Sequence, residues 1–168
     1  EGKTYRISID GDCHNFNYRT DYFEDENLAK AWKEEGHSGN WEVPTTWQKV
    51  QEVTLFLKGK KINGMDAHGY LDPLKGWGGF GFYFLGSRAT AYAKHPDDPA
   101  FLFDADTMKP MVNNPAWVRA IQDVLDVLDC QPADQINADP GTTGFQQFLA
   151  GTGSMLSWWG DIGSNANT

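Results

Sequence analysis

The sequence predicts an α/β fold with helices packed on a sheet, and three observations carry that reading. Runs of alternating apolar residues interleave with runs whose apolar residues recur at i, i+3 and i+4, in the order β, α, α, β, α, α, α, β. The 168 residues suffice for one domain with a sizeable core. At 40 % hydrophobic and 22 % charged residues, the composition is that of an ordinary globular chain.

The elements follow in order. In TYRISIDGD (4–12), Tyr5, Ile7 and Ile9 share one face, which predicts a strand ending at Asp10-Gly11. CHNFNYR (13–19) resumes the alternation, with Gly11 marking a bend or bulge. EDENLAKAWKEEG (24–36) predicts a short helix on Leu28, Ala31 and Trp32, stopped by Gly36, and a polar loop follows to Val43. In PTTWQKVQEVTLFLKG (44–59), Thr45 and Gln48 make a capping box. Trp47, Val50, Val53, Thr54 and Leu57 share a face, and Gly59 ends the helix.

INGMDAHGY (62–70) reads as one strand. LDPLKGWGGFGFYFLGS (71–87) is ambiguous. Its aromatic run favours a strand slightly, because Gly78, Gly79 and Gly81 each cost a helix ~1 kcal/mol. Yet Trp77, Phe80 or Gly81, and Phe84 also fit one buried helical face. Residues 95–114, with three prolines, read as loop. Residues 114–129 predict a helix capped by Asn114 with Pro115 in its first turn. Trp117, Val118, Ile121, Val124, Leu125 and Leu128 make its inner face. A short helix over 143–151 buries Phe145, Phe148 and Leu149, and SMLSWW (154–159) is the last strand.

The charge of −9, with scattered Lys and Arg, argues against a nucleic-acid groove and makes strongly anionic ligands less suited. The sequence has no apolar stretch of the ~18 residues that a membrane span needs, so direct membrane insertion is not expected. Residues 1–9 lack the apolar core of a signal peptide, which fits a cytosolic protein or a mature or trimmed chain. Cys13 and Cys130 have no zinc or CxxC spacing; a disulfide and two buried thiols both remain open.

None of the four histidines sits in HExxH, and neither GxSxG nor GxxxxGK[ST] occurs. A carboxylate pair such as Asp12 and Asp72 has the chemistry of a glycosidase, but among 23 acidic residues such pairs arise by chance. The sequence therefore reads as a non-enzyme. Asp97-Asp98 and Asp104-Ala105-Asp106 do not meet the EF-hand pattern and read as solvated acidic loop, so no metal or cofactor is expected.

Aromatic residues make up 14 % of the chain, with seven tryptophans. Adjacent strand residues point to opposite faces, so Trp158 and Trp159 cannot both enter one core; at least one is exposed or lines something. In open α/β sheets, ligands bind beyond the carboxyl ends of strands. The predicted ends are Asp10-Gly11-Asp12, Tyr70-Leu71-Asp72-Pro73 and Trp158-Trp159-Gly160-Asp161. Flat aromatics stack on the C–H faces of sugars while carboxylates and imidazoles bond the hydroxyls. Asp10, Asp12, His14, Asp72, Trp77, Trp158, Trp159 and Asp161 supply that chemistry. For Trp77 a core position, and for His14 a purely structural role, stand as alternatives.

Three stretches also carry a resemblance. ISIDGDCHNFNYRTDYFED, VPTTWQKVQE and FQQFLAGTGSMLSWWGDIG resemble, in order and spacing, segments of bacterial extracellular solute-binding proteins of family 1. Thr20, in Tyr18-Arg19-Thr20-Asp21, departs from that family's usual Lys. The resemblance spans about Ile7 to Gly163 and matches chiefly the second lobe of a chain usually more than twice as long. It implies that residues 1–168 are a single α/β lobe of a type II periplasmic-binding-protein fold, with helices on a central mixed sheet. Residues 1–12 would then form a strand near the interlobe crossing. It further implies a periplasmic or cell-surface setting, a small-molecule solute, most simply a neutral carbohydrate, and the permease subunits of an ABC importer as partners. It makes 76–86 a helix despite its glycines. It gives Trp158 or Trp159, with Trp159 preferred, the role of stacking on a sugar, and gives Asp161 the role of bonding its hydroxyls. A solute-binding-like sensor or interaction domain without a transport role is the alternative.

Overall fold

The computed structural model describes residues 2–4, 7, 12–75, 80–98, 100–133, 135, 137 and 144–165. A mixed sheet of three strands organises them. Strand β5 (Gly153–Trp158) lies in the middle, antiparallel to β1 (Asn15–Tyr18) and parallel to β4 (His68–Tyr70). All six residues of β5 are buried. Its alternation feeds two cores. Met155 joins Tyr22, Trp32, Val53 and Tyr70, while Leu156 and Trp158 join Leu71, Phe84, Phe148 and Ile162. A strand covered on both faces needs apolar residues throughout rather than at every second position, which is why this one reads as an unbroken run.

The first core is roofed by α1 (Thr20–Phe23), α2 (Glu26–Glu34) and α3 (Trp47–Leu57). Asp25 caps α2 by accepting from the Asn27 and Leu28 amides. The cap of α3 is Thr46, whose hydroxyl accepts from the Lys49 amide, one residue later than the predicted Thr45 box. Thr54 ties α3 to β4: its hydroxyl donates to the Val50 carbonyl at 2.7 Å and accepts from the Tyr70 amide at 3.0 Å. Gly69 faces it, where an added Cβ would overlap the Thr54 backbone, so helix and strand approach at a distance only glycine allows.

The single strand predicted over 62–70 is three elements. Lys61–Ile62 (β2) and Met65–Asp66 (β3) form a hairpin, and β4 follows. Asn63 and Gly64 both have positive φ, at 51° and 80°. That is the two-residue turn that Asn-Gly favours because it matches the twist of the paired strands. The described residues of 1–12, namely 2–4, 7 and 12, are not in a strand; Tyr5, Arg6 and 8–11 lie outside the described set.

The ambiguous aromatic stretch is helix α4 (Phe80–Ala93), and residues 76–79 lie outside the described set. Packing overrides propensity here. Phe84 and Ala89 enter two cores, and at Gly81 an added Cβ would come within 2.6 Å of the Leu74 carbonyl oxygen. Helix α5 (Pro115–Asp126) starts as predicted, with Asn114 accepting from the Ala116 and Trp117 amides. Its inner face differs. Trp117, Ala120, Asp123 and Val124 are buried, whereas Val118, Ile121 and Leu125 are exposed. The rotated face carries Asp123, a carboxylate, into the interior. It is held inside by the Arg119 guanidinium at 2.6 Å and the Tyr92 hydroxyl at 2.5 Å. Helix α6 (Phe145–Leu149) and helix α7 (Ile162–Asn165) flank β5 in sequence. Cys13 and Cys130 are free thiols, the first exposed and the second buried.

One ion pair joins β4, α3 and α4. Arg88 on α4 and Asp72 just beyond β4 are each 3 % exposed. One guanidinium nitrogen contacts both Asp72 oxygens, at 3.0 and 3.1 Å. The guanidinium stacks 4.5 Å from the Trp47 ring and 5.4 Å from the Tyr70 ring. Arg88→Met leaves Asp72 buried and uncompensated. It is expected to lower unfolding free energy by about 3–5 kcal/mol, and Asp72→Leu in the same chain should restore most of that loss. Urea denaturation midpoints at constant slope are the readout.

Candidate functional site

At the carboxyl end of β5 the chain leaves the sheet and opens a cavity of about 870 Å³. Trp158, the last strand residue, is 5 % exposed and packs into the second core. Trp159 has left the strand and is half-buried at the cavity edge. Both tryptophans contact the second core and both line the cavity, Trp158 from within the core and Trp159 from its edge. Their rings meet edge to face at 5.3 Å and 83°.

The remaining walls come from two segments. Before β1, Asp12, Cys13 and His14 run along one side; from α4, Tyr83 and Ser87 project from successive turns on the other. Asp161 closes the rim from the turn after β5. Five residues expected at the site, Asp12, His14, Trp158, Trp159 and Asp161, therefore line one cavity. Asp10 and Trp77 lie outside the described residues. Asp72 does not line the cavity: its carboxylate is committed to Arg88 in the interior. Burial pushes its pKa up and Arg88 opposes the shift. The sequence placed Asp72 correctly at a strand end, but only the fold reveals the arginine sixteen residues on that takes it.

Tyr83, Ser87 and Cys13 were not among the expected residues. Once 80–93 is helical, Tyr83 and Ser87 are i and i+4 and share a face. That spacing was present in the sequence, but it carries meaning only with the helix assigned.

His14 is held from three sides. Its ring stacks on Phe84 at 5.0 Å and 16°, and meets Trp159 edge to face at 4.7 Å. Its Nδ1 lies 2.7 Å from the Ser87 hydroxyl. That hydroxyl has one proton and donates it to the Tyr83 carbonyl at 2.9 Å, so His14 Nδ1 is the donor to Ser87 and Nε2 is left as an acceptor. Burial holds the imidazole pKa below 6.5, which keeps the ring neutral at pH 7. The cavity thus presents acceptors: two carboxylates, the Nε2 lone pair and the Ser87 oxygen. Among the described lining residues there is no Lys or Arg. Such a set takes hydrogen-bond donors, hydroxyl or ammonium, against aromatic surface, and repels anions.

The Tyr18-Arg19-Thr20-Asp21 stretch serves the scaffold. Arg19 pairs with Asp21 through two nitrogens and donates to the Phe148 and Leu149 carbonyls at the end of α6. Tyr22, fully buried, donates to the Gly151 and Thr152 carbonyls, and burial raises its pKa to about 12. Together they fix the corner from which β5 departs.

Among the described residues, no group of three or more His, Cys, Asp or Glu is placed to hold a metal ion, and no helix is long and apolar enough to cross a membrane. No protein-family model, curated protein or solved structure matches the chain.

The tautomer is directly testable by NMR of the imidazole nitrogens. At pH 7.5 a protonated Nδ1 and a bare Nε2 are expected, with a titration midpoint below 6.5. Because the unfolded chain binds this proton more readily, the stability due to neutral His14 is complete above pH 6.5 and is lost as pH falls through the lower folded value. Ser87→Ala should shift the proton towards Nε2.

Proposed function

We propose that this chain is the ligand-capturing lobe of a solute-binding protein that delivers a sugar or related polyol to an ABC importer. The observation that carries the ligand class is the acceptor-rich cavity beside a half-buried tryptophan. Asp12, His14 and Asp161 would accept from hydroxyls while Trp159 covers a C–H face. The transport role, the permease partner and the periplasmic or cell-surface setting rest on the resemblance of the Tyr18–Asp21, Val43–Glu52 and Phe145–Gly163 stretches. So does the finer assignment of the α/β fold as one lobe of a type II periplasmic-binding-protein fold.

The mechanism is capture by closure. A ligand that contacts two lobes selects the closed arrangement, whose surface the permease reads. A micromolar Kd corresponds to about −8 kcal/mol, shared between the lobes, so one lobe alone binds weakly. This reading involves no catalytic chemistry. A sensor or interaction domain would use the same cavity without a permease.

A second ligand class follows from the same walls. An alkylammonium ion would use the two carboxylates and the ring faces. Salt separates the two, because attraction of a cation to partly exposed carboxylates is screened whereas a neutral polyol is indifferent.

The test is tryptophan fluorescence of the full-length protein, titrated with neutral monosaccharides and polyols and with aliphatic diamines, at 50 and 500 mM salt. A saturable, salt-independent response to a sugar is expected. Trp159→Ala, with an unchanged circular dichroism spectrum, should weaken it by about ten-fold or more, roughly 1.4 kcal/mol. Response to diamines alone, lost at high salt, would replace the sugar with an organic cation.

A further inference from the structure

A second cavity, of about 810 Å³, opens on the far side of His14 and Ser87. These two residues line both cavities, so the cavities adjoin at their hydrogen-bonded pair. The second half differs in character. Phe16 from β1 and Trp47 at the start of α3 supply aromatic walls; Gln48 and Thr90 supply polar groups at its edge. No Lys, Arg, Asp or Glu is among its described lining residues.

The aromatic wall is preorganised. Arg88 stacks 4.5 Å from the Trp47 ring, Tyr70 meets that ring edge to face at 5.3 Å, and Phe16 lies parallel to Tyr70 at 6.1 Å. A ligand binding there meets rings already locked by the buried ion pair and loses little side-chain entropy. Each half falls within the size range of a small-molecule site, about 300–1,000 Å³, so each has room for a sugar ring of its own.

We propose that the two adjoining cavities act as one groove and hold a glycan of at least two rings, one on each side of the His14–Ser87 pair. The ring near Trp159 has its hydroxyls read by carboxylates. The ring near Trp47 is recognised mainly by its apolar face and the Gln48 amide. The inference rests on the carbohydrate reading above and extends it from ligand class to ligand length.

The experiment compares monosaccharides with their di- and trisaccharides on the full-length protein. It includes two variants that fill only the second half, Ala91→Trp on α4 and Thr45→Trp just before α3; both positions are exposed and line that half. In the unaltered protein the disaccharide should bind about ten-fold or more tighter than its monosaccharide. Either variant should remove that gain and leave monosaccharide binding unchanged. Equal affinity for one and two rings, or a length gain that survives both variants, overturns the inference while the sugar reading stands. No response to glycans of any length overturns both.

Discussion

The buried pair of Arg88 and Asp72 is the contact on which the geometry of the molecule turns. Burying two charges carries a penalty of several kcal/mol per ion before their attraction is counted, and burial accordingly pushes the Asp72 pKa up. The pair is therefore poor evidence for stability as such. Its effect is positional. Asp72 continues from β4, Arg88 belongs to α4, and the guanidinium lies against the Trp47 ring of α3. Three elements distant in sequence are thereby set in one register. Ser87 is the residue before Arg88, so the ion pair also determines where the hydroxyl that orients His14 stands.

The second constraint is the central strand. Because β5 is covered on both faces, its side chains serve two cores, and Trp158 closes one of them. The strand ends there, so the next residue packs only against the edge of that core. Trp159 turns out beside His14 and Tyr83, while Gly160 and Asp161 begin the turn into α7. The ring of Trp159 meets His14, Phe84 and Trp158 edge to face, a packing mode with its own modest attraction. A partly exposed tryptophan is thus held at a fixed angle, which a stacking platform requires and a loop side chain alone does not provide.

Much of this was legible in the sequence, and what was missed follows a pattern. Helices α2 and α3 were readable because local rules and packing agree, whereas α5 was readable in its start and extent but not in its buried face. Strand alternation led to the expectation that Trp158 and Trp159 differ in burial, but the cause is another: the strand ends at Trp158, and Trp159 packs against the edge of the same core. Asn63-Gly64 is a hairpin signal that reading the nine residues 62–70 as one strand passed over. Helix α4 was obscured by glycines whose reason is tertiary: at Gly81 the chain at Leu74 leaves no room for a Cβ. The two errors with most bearing on function both concern buried carboxylates. Asp123 was left out of the inner face of α5, and Asp72 was placed in the ligand site. A carboxylate enters the interior only with a partner, and the partners, Arg119 with Tyr92 and Arg88, are set by helix phase and long-range packing. Composition does not distinguish a paired carboxylate from one that awaits a ligand.

That distinction shapes what the cavity can discriminate. Asp72 is satisfied internally and contributes nothing to selection. Asp12 and Asp161 stand at an open rim, and the His14 tautomer is fixed by a chain running from Tyr83 through Ser87. An apolar pocket separates ligands differing by one methylene by only about 1–3 kcal/mol, whereas a site built to accept a hydroxyl proton rejects the analogue lacking it far more strongly. In the proposed groove, selectivity for hydroxyl pattern would therefore concentrate on the Asp12–His14–Asp161 side. The Trp47 side, whose contacts are mainly ring faces, would tolerate changes of configuration. The carboxylates sit at the rim, where each can keep its water until a donor replaces it, and this lets the chain hold both beside aromatic surface with no Lys or Arg among the described lining residues.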